Sequence, residues 1–238
     1  MTCLKSQFRE LLLNDKRQFH IVTFNLDFYY NVSKNRDFYN ICANADLVVP
    51  DGYGIISLLN LKYKEKINRI TGNQLFILLL ELADELGLRA AFVGSSDQVQ
   101  MKLKEKINRL FPSINIVSSI SPIQYFENYT EESNTIIEEL GSAKPDIVFV
   151  GLSSPRQVVW IDQIRELVNS KIYIGVGAAF DYFTGSKKRA PLLIQSIGLE
   201  WLWRVLFEPK RLFKRYIIND LPFYFKKYLS TIGNNTNE

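Results

Sequence analysis

The sequence predicts an α/β fold built on a mostly parallel sheet, and three observations predict it. Short runs of β-branched and aromatic residues alternate with stretches of helical periodicity along most of the chain. Several of the short runs are apolar throughout, as strands covered on both faces are. Three of them end in glycine, which lets backbone come close to a ligand at the carboxyl edge of a sheet. Such alternation is the pattern of a doubly wound sheet.

The elements follow in order. Met1–Lys16 mixes charges with leucines and holds no uninterrupted apolar stretch, so it does not read as a secretory signal peptide, and a cytoplasmic location is expected. Phe19–Phe24 is the first predicted strand, followed by a helix near Phe28–Ala43. Asp46–Val49 is the second strand; Pro50-Asp51-Gly52 interrupts it before a helical stretch from Tyr53 to Asn60. A helix over Asn73–Leu86 contains the longest apolar run, Leu75–Leu80, which stops at Glu81, far short of the roughly 20 residues that span a bilayer. Leu88–Val93, Ile114–Val117, Asp146–Val150 and Lys171–Val176 are the remaining strands. Between them lie predicted helices at Asp97–Leu110, Glu131–Leu140 and Gln157–Asn169. Pro209 marks a further helix start, and the polar end, Gly233–Glu238, is expected to be disordered. No internal repeat or long linker is evident. The expected organisation is a catalytic domain over 1–195 and a helical appendage over 196–238.

Composition narrows the function. The chain has 238 residues, 47% of them hydrophobic, enough for a substantial core. Two isolated cysteines, Cys3 and Cys42, and one histidine, His20, make neither a zinc site nor a disulfide framework. Ser186–Lys227 carries ten Lys or Arg against three Asp or Glu, a net +7, so the whole-chain +4 leaves −3 on the remainder. An acidic body with a basic end suggests a polyanionic partner: a membrane surface, a nucleic acid or a phosphorylated ligand.

The strand ends limit the ligand. Gly175-Val-Gly177-Ala-Ala-Phe180 half-matches the dinucleotide fingerprint, but a bulky Phe stands where a third small residue should allow close helix packing. No phosphate-binding Gly-x-x-x-x-Gly-Lys-Ser/Thr and no Gly-x-Ser-x-Gly is present. Asp-x-Asp, the close carboxylate pair that holds a divalent ion against a diphosphate, is missing too. Any diphosphate would then be met by Arg, Lys and backbone donors.

Taken together, Val22-Thr23-Phe24-Asn25, Val49-Pro50-Asp51-Gly52, Arg69-Ile-Thr71-Gly72, Phe92-Val93-Gly94, Val150-Gly151-Leu-Ser-Ser-Pro155-Arg-Gln157, Gly175-Val-Gly177-Ala-Ala-Phe-Asp181, Arg189-Ala-Pro191 and Gly198-Leu-Glu200-Trp-Leu-Trp-Arg204 resemble the WecG/TagA/CpsF family of bacterial glycosyltransferases. The resemblance runs along nearly the whole chain and implies a Rossmann-like α/β fold with a basic amphipathic helical appendage. It implies an inverting transferase that moves a sugar, N-acetylmannosamine in the best-known members, from a UDP-sugar donor to a lipid-linked polyprenyl-diphosphate sugar acceptor. Such an enzyme works at the inner face of the bacterial cell membrane, in polysaccharide or teichoic acid synthesis. It implies no cofactor and no metal site, in keeping with the missing Asp-x-Asp.

Inversion by single displacement needs a base for the acceptor hydroxyl. Asp51, between an apolar strand and Gly52, stands where similar members carry their proposed base; the alternative is a cap on the following helix. Thr23 and Asn25 look like the family's substrate-binding Thr-x-Asn, with turn formation as their alternative. Arg69 is read as a phosphate grip, or else as solvated surface. Gln157 matches the polar residue of the family's Pro-Lys-Gln-Glu and is read as holding a sugar hydroxyl. This chain has Pro155-Arg156-Gln157-Val158, so the glutamate is replaced by Val158. Asp181 is read as positioning the acceptor or ordering Arg189, or as capping a helix near Tyr182. Gly94, Gly151, Gly175 and Gly177 are the expected nucleotide-binding glycines.

In the tail, Lys210, Arg211, Lys214 and Arg215 share one arc of a helical wheel, and Leu212, Phe213, Tyr216 and Ile217 the opposite one. Such a helix can lie on an anionic membrane surface, with Trp201, Trp203, Phe223, Tyr224, Phe225 and Tyr228 as interfacial anchors, or pack its apolar arc on the core. The resemblance adds a role in the site, for which Arg204, Arg211 and Arg215 are the diphosphate-binding arginines. Two alternatives stand beside this reading. A non-catalytic UDP-sugar binding protein would fit the Val158 departure. A nucleic-acid-binding module would use the same basic tail, but its aromatics have helical spacing and do not alternate along strands, so no nucleic acid partner is expected. Tyr and Phe on the surface leave room for a homo-oligomer.

Overall fold

The computed structural model describes residues 2–14, 17–123, 125–126 and 130–235. Six strands, β1 (Phe19–Phe24), β2 (Leu47–Pro50), β3 (Arg89–Gly94), β4 (Asn115–Ile120), β5 (Ile147–Gly151) and β6 (Ile172–Gly175), form one parallel sheet in the order β2-β1-β6-β5-β3-β4. Each predicted strand is present, with ends displaced by up to three residues. The apolar runs are buried as expected: Ala90–Val93, Ile147–Val150 and Ile172–Ile174 are at most 1% exposed. Their register is direct, Phe92 opposite Phe149 and Phe149 opposite Ile174, so glycines 94 and 151 end paired strands side by side.

The chain clusters into two compact units, and β1 and β2 each run from one into the other. The first comprises 1–22, 44–47 and 72–187. Its helices are α1 (Thr2–Asn14), α5 (Gly72–Leu86), α6 (Asp97–Leu110), α7 (Thr130–Ala143), α8 (Arg156–Ile164) and α9 (Ala179–Thr184). One part of its core gathers Phe126, Leu140, Val148, Val150, Trp160 and Tyr173. Another is aromatic: Phe92 stacks on Phe149 at 5.2 Å, Phe76 meets Phe149 edge-on at 5.2 Å, and Phe180 lies 5.5 Å from Phe76. Such geometries add to simple area burial.

The second unit comprises 23–43, 48–71 and 188–238. It holds α2 (Leu26–Val32), α3 (Arg36–Ala43), α4 (Tyr53–Tyr63), α10 (Leu192–Ser196), α11 (Glu200–Phe207), α12 (Pro209–Phe213) and α13 (Leu221–Asn235). A π-helical turn, Lys214–Asp220, joins the last two. Among the described residues no helix is long and apolar enough to cross a membrane.

Two helix expectations are corrected. The stretch Phe28–Ala43 is two helices, because Asn35 accepts from the Phe38 amide at 3.0 Å and so starts a new one. The stretch Gln157–Asn169 ends its regular helix at Ile164, where the amides of Leu167 and Val168 share the Ile164 carbonyl. Of the polar end, residues 236–238 lie outside the described residues, while α13 runs to Asn235.

Candidate functional site

Within the first unit, the loops at the carboxyl ends of β3, β5 and β6 collect Gly94, Gly151, Gly175, Gly177, Gln157 and Asp181. The glycines are needed for close approach within the protein. Gly94, at φ +122°, would place a Cβ 2.7 Å from the Gly151 carbonyl, and a Cβ on Gly151 would stand 2.6 Å from the Phe180 ring. A Cβ on Gly175 would come within 2.6 Å of the Gln157 carboxamide. Gln157 is 4% exposed, and its Oε1 accepts the Gly177 N–H at 2.9 Å. The carboxamide is thus fixed against the β6–α9 loop. Val158, in place of the family glutamate, is fully buried in the core.

Gly177 has a positive φ of +54°, and a Cβ there would make only ordinary contacts, with Gln157 Oε1 at 3.8 Å and the Leu152 carbonyl at 3.9 Å. After Gly94, Ser95 also has a positive φ, and its Oγ lies 3.5 Å from Asp181 Oδ2. Asp181 lies inside α9, whose cap position is Ala178, so it does not cap a helix starting at Tyr182. Its carboxylate faces Lys187 at 3.9 Å, whereas Arg189 pairs with Glu200. The β3–α6 turn is held from below by Gln100, 5% exposed, whose Nε2 donates to the Gly94 carbonyl at 2.6 Å and the Ile120 carbonyl at 3.0 Å. Sequence reasoning missed Ser95 and Gln100; a buried glutamine facing a strand end has no sequence signature.

Within the second unit, three of the motif segments lie side by side. The Asp51 amide donates to the Phe24 carbonyl at 2.8 Å, and the Ile70 amide to the Pro50 carbonyl at 3.2 Å. Thr23–Asn25, Pro50–Gly52 and Arg69–Thr71 are stitched together this way. Thr23 is buried. Asn25 caps α2, its Oδ1 accepting from the Phe28 amide at 3.1 Å, as its turn-forming alternative anticipated. The cap of α4 is Gly52, at φ +91°, a conformation suited to glycine; Asp51 precedes that cap.

Arg69 lies over the Tyr53 ring at 4.7 Å, and Gly198 packs on the same residue, where a Cβ would meet the ring at 3.1 Å. Arg69 is therefore not solvated surface; its side chain is 18% exposed and pairs with Glu200 at 3.5 Å. Glu200 is the hub that the sequence reading gave no role. Arg204 meets it at 3.2 Å and Arg189 at 3.7 Å, so three guanidiniums converge on one carboxylate. The other two tail arginines have different partners. Arg211 is exposed and pairs with Glu208 at 2.6 Å, while Arg215 lies between Asp27 at 3.3 Å and the buried Asp220 at 3.8 Å. Burial first, then the Asp27 charge, pushes the Asp220 carboxyl up to about 7, against the pull of Arg215.

The apolar arc of the tail is only partly covered: Leu212 is 2% exposed and Tyr216 and Ile217 are half-buried, but Phe213, the last residue of α12, is 51% exposed. Of the aromatic residues named as anchors, Phe225 is exposed at 55%. Trp201 instead packs on Tyr216, Phe223 on Tyr29 and Tyr30, and Tyr224 bonds to Ser57 at 3.0 Å. The lone histidine, His20, is 1% exposed, and burial, with the nearby Arg165 charge, takes it down to about 4. Cys42 is pushed up to about 12 by burial, so neither it nor His20 is poised for catalysis. Among the described residues no three His, Cys, Asp or Glu side chains gather as metal ligands would. The groups suited to a diphosphate here are guanidiniums and backbone N–H.

Residues 3–237 match the model of the Glycosyl transferase WecG/TagA/CpsF family. An N-acetylglucosaminyldiphosphoundecaprenol N-acetyl-beta-D-mannosaminyltransferase of Bacillus spizizenii is 31% identical over 211 residues, covering 89% of this chain and 80% of that protein. Its Bacillus subtilis counterpart of the same name is 30% identical over 191 residues, 80% of this chain and 72% of that protein.

Proposed function

We propose, for a chain that belongs to the WecG/TagA/CpsF family of glycosyltransferases, that it moves N-acetylmannosamine or a related hexose from a UDP-sugar to a sugar carried on a polyprenyl diphosphate. The product would serve cell-surface polysaccharide or teichoic acid synthesis. The observation that carries the reading is the likeness, over 80% of the chain or more, to two enzymes named for that acceptor and for N-acetylmannosamine transfer.

The geometry supports roles for separate groups of residues. In the first unit, the β3–α6, β5–α8 and β6–α9 loops are the proposed seat of the donor nucleotide, with backbone N–H groups around Ser95 and next to Gly177, whose own N–H is taken by Gln157, as phosphate donors. Gln157 and Asp181 are the proposed contacts to sugar hydroxyls. In the second unit, Asp51 is the proposed base. It takes the proton of the acceptor hydroxyl as that oxygen bonds to the anomeric carbon and the bond to the nucleotide diphosphate breaks on the opposite face. Arg69, Arg189 and Arg204 are proposed to face diphosphate charge, ordered by Glu200, and Arg211 and Arg215 to extend that basic surface. Thr23 and Asn25 complete the proposed substrate contacts.

Peripheral docking on the membrane is part of the proposal. Leu192 and Leu193 of α10 are 81% and 74% exposed, and Leu206, Phe207 and Leu229 are each above 60%, in a unit whose Lys210, Arg211 and Lys214 also face water. Apolar side chains beside exposed cations suit an anionic lipid surface.

The test is UDP release from a panel of UDP-sugars, with a short-chain polyprenyl-diphosphate-GlcNAc acceptor and EDTA, comparing wild type with Asp51→Asn. Acceptor-dependent release from one donor, reduced by about 10²–10⁴ in the variant, is expected for loss of a general base. Release that Asp51→Asn leaves unchanged would remove Asp51 as the base. UDP binding without release from any donor would favour the non-catalytic alternative.

A further inference from the structure

The second unit contains an apolar cleft of about 360 Å³ among the end of β1, α2, α3, β2, α4 and α13. That volume is near the lower end of the about 300–1,000 Å³ of small-molecule sites. Ile55, Leu58 and Cys42 line it as buried groups, and Val48 and Tyr39, each 44% exposed, stand where it meets solvent. The charged side chains in its lining are Lys62 and Lys227, and no Asp or Glu is among the lining residues. Lys62 lies over the Tyr63 ring at 5.2 Å and Lys227 over the Tyr29 ring at 5.4 Å. Among the described residues neither lysine is in an ion pair.

The lining selects the chemistry of an occupant. A sugar or a nucleotide base would leave its polar groups unpaired against such walls, at a cost in affinity. A free phosphate would engage the lysines and make no use of the apolar surface. An apolar chain that carries an anionic group matches both. The helix α13 adds a route: Lys227 and Thr231 face the cleft, while Phe225 and Leu229, each two residues from Lys227 and so about half a turn away, are 55% and 66% exposed.

We propose that this cleft holds the first prenyl units of the acceptor's polyprenyl chain, with Lys62 and Lys227 drawing its anionic end. The proposal rests on the acceptor assignment above. It goes beyond it by giving the lipid, and not only the sugar, a binding site on the protein.

Binding tests it without turnover. Calorimetry of the full chain would compare farnesyl diphosphate, inorganic pyrophosphate and UDP, in wild type and in Ala43→Trp and Val48→Trp, which add bulk to the cleft from positions that are not in the core. Farnesyl diphosphate is expected to bind at least tenfold tighter than pyrophosphate. Each tryptophan should weaken farnesyl diphosphate at least tenfold and leave UDP affinity and thermal midpoint unchanged. Lys62→Gln with Lys227→Gln should weaken farnesyl diphosphate while leaving UDP unaffected. Farnesyl diphosphate binding no tighter than pyrophosphate, or unaffected by both tryptophans, overturns the proposal. So does a change in sedimentation with the tryptophans while farnesyl diphosphate affinity holds, which would make the cleft a contact between copies. Failure of the transferase reading would show separately, as no UDP release on any acceptor.

Discussion

Replacing Asp220 by asparagine should make the second unit more stable at alkaline pH and change it less at acid pH. Asp220 is 2% exposed, and among the described residues neither carboxylate oxygen has a hydrogen-bond partner. It competes with Asp27 for one guanidinium, and Arg215 is nearer Asp27, 3.3 Å against 3.8 Å. Burial and the Asp27 charge raise the Asp220 carboxyl from 3.8 to about 7. A folded-state value above the unfolded one means that the folded chain holds this proton more tightly. The stabilisation is therefore complete below about pH 4 and is lost as pH rises through 7. At 1.36 kcal/mol per unit, the ionisation penalty is on the order of 2 kcal/mol at pH 5 and 4 kcal/mol at pH 8. Asparagine carries no charge at either pH, and leaves Arg215 matched to Asp27 alone. The stability gap between Asp220→Asn and wild type should thus widen by about 3 kcal/mol from pH 5 to pH 8. Urea unfolding followed by tryptophan fluorescence at both pH values measures it, since Trp201 and Trp203 lie in the same unit. The double difference cancels pH effects common to both proteins. A gap that stays constant would show that Asp220 does not titrate in this range, and would refute the reasoning.

Gly151→Ala should destabilise the first unit by about 1–3 kcal/mol, because the new Cβ would stand 2.6 Å from a Phe180 ring already packed on Phe76 and Phe92. Thermal melts should show Gly151→Ala/Phe180→Leu less harmed than the sum of the two single changes; strict additivity would count against a steric cause. Glu200→Gln should lower stability by about 2–3 kcal/mol, below the usual range for a fully buried pair because the carboxylate is 13% exposed. Sulfate should restore more of that loss than chloride at equal ionic strength, as an anion among Arg69, Arg189 and Arg204. Equal effects of the two salts would argue against a shared anion site there.

The central strands β3, β5 and β6 were legible because they are buried on both faces. Phe149 and Ile174 can tolerate nothing polar, so the runs around them stand out from any context. Helix ends were less legible because they depend on single hydrogen bonds, such as the Asn35 cap that divides Phe28–Ala43. Of the candidate site, the motif segments were found, and the stitching of Thr23–Asn25 to Pro50–Gly52 and Arg69–Thr71 follows from strand ends that lie next to each other. Glu200 escaped notice because its importance comes from Arg69, 131 residues away in sequence, and from Arg189 and Arg204. The tail was read only in part because a wheel shows which residues share an arc and not their partners: Arg215, on the basic arc, is paired with Asp27 and Asp220.

Phe180 bears on both the motif and the packing. In the sequence it argues against a dinucleotide fold, since a bulky ring occupies the third small position. In the structure the same ring fills the space that Gly151 leaves open, and Gln157 fills the space left by Gly175. The glycine pattern at these strand ends is therefore set first by protein packing. Gly177 differs: its φ of +54° favours glycine, while a Cβ there would meet nothing nearer than 3.8 Å. Its N–H is taken by Gln157 at 2.9 Å. A phosphate approaching this loop would thus meet backbone already held in place by the glutamine, so loss of Gln157 should loosen the loop as well as remove the proposed sugar contact. Gln157→Ala is accordingly expected to raise the KM for the donor more than that for the acceptor, and equal rises would point to a general loss of structure.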